Sequence, residues 1–224
     1  MIKQLRMGFN LLRYTHGIKT CVGFGAVMFL IGVGMELCFS APMEGVSFSV
    51  GGYFVLITAM WPLQLLISMN VPEFVVTSPW KKRIQTSVFA ISAAFYFLIG
   101  YVITLGLKFI NYKRGILTIS GLTTQILELA ILIFIIVIYM AVSLKYFVAA
   151  TVVFCIVMPT FMTGSSLAGY FGWVTQAGIT PAIAVVIGVI SIVLSAVVAY
   201  AILCLIYKKP VSKYSQMNSL KKKM

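Results

Sequence analysis

Acidic side chains are nearly missing: the 224 residues hold four of them against 17 lysines and arginines, with a single histidine. Four acids leave no paired carboxylates for general acid–base chemistry. His16 stands alone in a basic leader, and no cluster of His, Cys and carboxylates exists to ligate a catalytic metal. No G-x-x-x-x-G-K-[ST] loop occurs, so ATP is not bound by this chain in the P-loop manner. Cys21, Cys38, Cys155 and Cys204 form no paired motif; they read as small apolar residues, not as a disulfide framework or metal site. Charge of either sign is scarce, at 9% of residues against 61% hydrophobic. So few charges cannot cover a soluble domain of this size. Enzymatic chemistry is thereby set aside, and no catalytic, cofactor-binding or metal residue is assigned.

What is present is a series of apolar runs. A helix needs about 20 mostly apolar residues to cross a bilayer. Six such spans are expected, at Cys21–Ser40, Val50–Ser68, Val88–Ile110, Thr124–Ser143, Tyr146–Met162 and Ala182–Tyr207. Helix is the form expected for each, because every backbone polar group must be satisfied within the segment. The fourth and fifth runs touch. Taken as one helix, Thr124 to Gly164 would be roughly 60 Å long at ~1.5 Å per residue, twice the hydrocarbon core. The chain must therefore turn back at Ser143-Leu144-Lys145-Tyr146. The first run is longer than a signal-peptide core and is read as retained. The fold class is an all-α integral membrane protein. It divides into an amphipathic interfacial helix (1–20), a six-helix transmembrane domain (21–207) and a basic cytoplasmic tail (208–224).

With the N-terminus inside, the inner segments carry Lys3, Arg6, Arg13, Lys19, the Lys81–Arg83 triplet, Lys145 and the six lysines from Lys208 onward. Lys108, Lys113 and Arg114 alone fall outside. The positive-inside rule then puts both termini in the cytoplasm of a multi-pass cell-membrane protein. The outer trio reads as an interfacial anchor, or as a contact for anionic lipid or substrate. A net charge of +13 divided among membrane loops suits anionic headgroups, and no nucleic-acid module accompanies it.

Other segments add detail. Lys3, Arg6, Asn10 and Arg13 form one polar stripe in residues 2–16, beside an apolar stripe of Leu5, Phe9 and Leu12, as in a helix lying along the inner leaflet. "TGSSLAGYFGWVTQAGITP", Thr163 to Pro181, has no charge and four glycines. It reads either as a re-entrant hairpin before the last helix or as a plain loop at the headgroup level. Pro159 favours a break in the fifth span. Glu128 is the one acid well inside a span, with Thr124 and Gln125 one turn earlier on the same face. These three are candidate pathway lining. Glu128 also reads as a residue pointing back to water near a helix N-terminus, and Glu36 as one that snorkels. In the last span Ala184 and Gly188, and Ser191, Ser195 and Ala199, recur at spacings of four, a ridge that lets helices approach closely.

"VPEFVVTSPWKKRIQ", Val71 to Gln85, joins the second and third spans. Val71-Pro72 ends one helix. Glu73 suits the first turn of a short helix. Ser78 is the expected N-cap of the next, with Pro79 at its first position. Trp80, Lys81, Lys82 and Arg83 then stand at an exposed corner. A bland reading assigns Trp80 to the interfacial belt and the triplet to topology alone.

The basic leader, six spans, this elbow, the Gly-rich segment before the last span and the tail "YKKPVSKYSQMNSLKKKM" together resemble the permease subunit of type-2 ABC exporters. In that family the elbow carries a coupling helix with an acid, a small-residue/proline turn and basic residues. Glu73, Ser78, Pro79, Lys82 and Arg83 occupy those places, with Trp80 and Lys81 between them. The resemblance implies a second permease subunit, identical or related, and two copies of a separate P-loop ATPase subunit that binds ATP and Mg. It implies export of a hydrophobic or amphipathic substrate: a small peptide, an antimicrobial compound or a lipid-like molecule. The alternatives are the membrane-embedded binding subunit of a vitamin importer, which also has about six spans and lacks an ATPase but against which the elbow and amphipathic leader argue, and a non-transporting channel or scaffold.

Overall fold

The computed structural model describes residues 4–7, 10, 18–38, 49–69, 79–162 and 178–209. Among them the chain is all-helical. Six helices follow in order: α1 (Ile18–Cys38), α2 (Val50–Met69), α3 (Lys81–Lys113), α4 (Ile119–Ser143), α5 (Phe147–Met162) and α6 (Pro181–Ile206). By length and composition α3, α4 and α6 are long and apolar enough to cross a membrane. The apolar stretches Val22–Cys38, Val50–Leu65 and Phe147–Thr160 are shorter. Residues 4–7 and 10 are helical. The rest of the leader, Glu73 and Ser78 of the elbow, residues 163–177 of the Gly-rich segment and the tail from 210 lie outside the described residues.

Local chemistry explains most helix ends. Thr118 caps α4, its hydroxyl accepting from Gly121 N at 3.1 Å. Thr180 caps α6 in the same way, with Pro181 at the first position, where its missing N–H is no loss. α3 ends in a left-handed Gly115 (φ +75°). There Ile116 N bonds Asn111 O and Gly115 N bonds Tyr112 O, which satisfies two terminal carbonyls. The reversal expected at 143–146 is present, Lys145 N and Tyr146 N both donating to Val142 O.

α3 is continuous from Lys81 into the expected span, as a helix restart in the elbow implies, and its Ile84–Val88 turn is π-helical. Several expected boundaries are corrected. The N-cap position of α3 is Trp80, with no side-chain cap bond, and Pro79-Trp80 form a turn ahead of it. α4 begins at Ile119, not Thr124, so Glu128 sits in its third turn and not near a frayed end. α5 runs through Pro159 to Met162 without a break. Thr160 hydroxyl bonds to the Ile156 and Val157 carbonyls accompany the proline there.

The core lies where α3 and α4 meet α2 and α6. Leu56 and Leu63 of α2, Phe97 and Tyr101 of α3, and Ile126, Ile133 and Ile136 of α4 are fully enclosed. α6 buries the stripe Ala184, Gly188, Ile192, Ser195, Ala199 and Leu203. This is the small-residue ridge, and Ser191 Oγ crosses from its edge to Ala130 O at 2.9 Å. A Cβ at Gly188 would overlap the Tyr101 hydroxyl and the ring carbon that bears it, which shows how closely α3 and α6 approach. Tyr139 stacks on Phe154 at 4.3 Å and fixes α5 on α4. The outer faces of α1, α5 and α6 stay apolar and exposed, as at Leu30, Ile156 and Val193.

Candidate functional site

Polar chemistry gathers at the two ends of the bundle. At one end, α1, α2, α3 and α4 converge on a buried ion pair. Lys108 Nζ lies 2.5 Å from Glu36 Oε1 and donates to Gln125 Oε1 at 2.7 Å. The other Glu36 oxygen accepts from Ser49 Oγ at 2.6 Å and from Gly52 N at 3.0 Å. Asn111 Nδ2 holds the Glu36 carbonyl at 2.8 Å. Glu36 and Lys108 are 2% and 1% exposed, so neither charge has solvent to fall back on. An isolated charge in this setting would cost several kcal/mol, and mutual pairing with extra hydrogen bonds is what offsets it. Packing makes the pair possible: a Cβ on Gly51 would sit 2.5–2.7 Å from Glu36 N, Cβ and Cα, so only glycine lets α2 come this close.

Two expectations are corrected here. Glu36 does not snorkel, and Lys108 is not an interfacial anchor; each is held inward by the other. Lys113 and Arg114, the other two cations of that trio, are exposed. Of the candidate pathway residues, Gln125 and Glu128 join this cluster. Glu128 is 3% exposed and acts electrostatically on Lys108. Thr124 does not join; its hydroxyl turns back to Ser120 O at 3.0 Å. Among the described residues no three His, Cys, Asp or Glu gather to hold a metal.

The opposite end is basic and aromatic. Pro79 and Trp80 are exposed, Trp80 by 46%. Arg83 lies 5.4 Å from the Trp80 ring centre, Lys82 is 5.1 Å from that of Tyr207, and Lys209 is 5.8 Å from that of Tyr146. These cation–π contacts connect the start of α3, the α4–α5 turn and the end of α6. Lys82 and Arg83 remain exposed; Lys81 is half-buried. Beneath them Lys145 Nζ donates to Gln85 Oε1 at 3.1 Å. Burial first, and the Lys81 cation second, pull Lys145 down to about 8. The elbow residues that are described, Pro79 to Arg83, thus stand together on one corner, as their sequence order implies. The bracing by Lys145, Tyr146, Tyr207 and Lys209 was not foreseen; the only available signal was that aromatics and lysines adjoin at 145–146 and 207–209.

No protein-family model, no curated protein and no solved structure matches the chain.

Proposed function

We propose that this chain is the transmembrane permease subunit of an ATP-driven exporter of the type-2 ABC class. It crosses the membrane six times with both termini cytoplasmic, and the Gly-rich segment before α6 re-enters the outer leaflet. It moves a hydrophobic or amphipathic compound. Energy comes from a separate P-loop ATPase, two copies serving two permease subunits. The observation that supports this reading best is the corner at Pro79–Arg83. It exposes an aromatic ring and cations, and it is continuous through a π-helical turn with α3, a core helix. A topological anchor needs charge only. A coupling element needs an exposed grip and an unbroken connection to the core, and these features support the reading. The basic side of the bundle holds Lys82, Arg83, Lys208 and Lys209 exposed, as the cytoplasmic side should.

The test is ATP hydrolysis by a candidate P-loop ATPase subunit reconstituted with the chain. Trp80→Ala and Glu73→Ala are expected to weaken association or uncouple hydrolysis from transport. The Trp80 change should cost about 2 kcal/mol, or roughly 30-fold in affinity. Lys81→Arg should leave both within about twofold. Normal stimulation of the ATPase by both alanine variants overturns the reading.

A further inference from the structure

Among the described residues the basic end holds more positive charge than it has partners for. Lys145 is 5% exposed, and among those residues its ammonium meets one neutral acceptor, Gln85 Oε1. Lys81 acts on it as a like charge. Among the described residues the two acids, Glu36 and Glu128, belong to the opposite end. Glu128 is 17 residues before Lys145, so about 25 Å away at the ~1.5 Å rise of a helix. Gln85 is fully buried, and its amide nitrogen has no partner among the described residues. Its orientation is not arbitrary: an ammonium can only donate, so the oxygen must face Lys145 and the NH₂ is left over. The first turn of α3 adds backbone N–H groups that no intrahelical carbonyl accepts. Apart from the Gln85 oxygen, the side-chain groups named here are donors or cations, and among the described residues of this end none supplies a negative charge.

The surroundings say what kind of anion would fit. Tyr146, Phe147 and Val148 follow Lys145 directly and are 40%, 41% and 51% exposed. The apolar strip continues along α5 through Val152 and Ile156. Trp80 flanks the same end at the level where indole rings meet headgroups. A ligand with a phosphate at one end and acyl chains at the other would match the charge of this cluster and the apolar strip beside it. We propose that the Lys81–Gln85–Lys145 cluster binds the phosphate of an anionic phospholipid, with its acyl chains along α5. A zwitterionic headgroup brings its own cation into a site that already holds two, and is disfavoured.

The experiment titrates phosphatidylglycerol or phosphatidylcholine into the full, delipidated chain in detergent and counts bound lipids by native mass spectrometry. One phosphatidylglycerol is expected to bind at least tenfold more tightly than phosphatidylcholine. Lys145→Met should remove that preference. Gln85→Leu should reduce it three- to tenfold, and serves as the deciding variant if Lys145→Met does not fold. The exposed Lys208→Met should change it less than twofold. Inorganic phosphate at 10 mM, the free-anion arm, should not displace the lipid. Equal binding of the two lipids overturns the proposal, as does a preference that survives Gln85→Leu or falls equally with Lys208→Met. Displacement by inorganic phosphate overturns the lipid as its source. The readout involves no ATPase, so it stands or falls independently of the exporter assignment.

Discussion

Remove one partner of the Glu36–Lys108 pair and the other is left charged inside the bundle. Breaking a buried pair in this way costs about 3–5 kcal/mol. The two partners should not cost the same. Lys108→Met leaves two buried carboxylates, Glu36 and Glu128, with no cation, so it belongs near 5 kcal/mol. Ser49 Oγ and Gly52 N still donate to Glu36 and keep the loss from being larger. Glu36→Leu leaves Lys108 with Gln125 Oε1 and with the field of Glu128, so it belongs near 3 kcal/mol. The Glu36→Leu/Lys108→Met double variant removes both stranded charges of the pair. It should recover at least ~2 kcal/mol of the sum, because groups in one network do not add. Reversible unfolding in mixed micelles, followed by pulse proteolysis, measures all four corners of the cycle. Singles that each cost under about 1 kcal/mol, or strict additivity, would refute the buried pair as a structural tie. Reversal of the order, with Glu36→Leu worse than Lys108→Met, would refute the role given to Glu128.

Other perturbations separate packing from charge. Gly51→Ala pushes a methyl into the Glu36 backbone and should cost roughly 1–3 kcal/mol. Gly34→Ala in α1, where an added Cβ meets nothing within 4 Å, should be neutral or stabilising by about 0.5–1 kcal/mol; the same unfolding assay compares them. Lys145 gives a pH signature. Its folded value of about 8 lies below the ordinary lysine value of 10.5, so between pH 8 and 10.5 the unfolded chain holds more protons than the folded one. Stability should therefore rise with pH across that window. Lys145→Met should flatten the rise in a melting-temperature series.

The sequence carried the topology further than the sites. The α4–α5 reversal was legible because Thr124 to Gly164 is too long for one bilayer crossing. The α6 ridge was legible because small residues at spacings of four share a helix face, and the structure uses that face against α3 and α4. The start of α4 was missed because hydropathy marks where apolar residues begin, whereas the helix begins at its cap, Thr118. That error moved Glu128 toward water on paper. Pro159 was taken as a break, yet α5 carries it. The charge network was not legible at all. Glu36 and Asn111 are 75 residues apart, and nothing in local pattern couples a glutamate in one apolar run to a lysine and an asparagine in another. Nor does any local signal announce the π-helical turn between the elbow and the span.

The central claim is that an ATPase grips the corner at Trp80. A photo-crosslinking amino acid placed at position 80, in cells expressing the chain and a candidate P-loop ATPase subunit, tests it most directly. The control places the same group at Tyr112, at the other end of α3, where the ring is also exposed. The account predicts a covalent adduct with the ATPase from position 80 and none from position 112. Absence of the adduct from position 80, with the ATPase present and the chain inserted, contradicts the account.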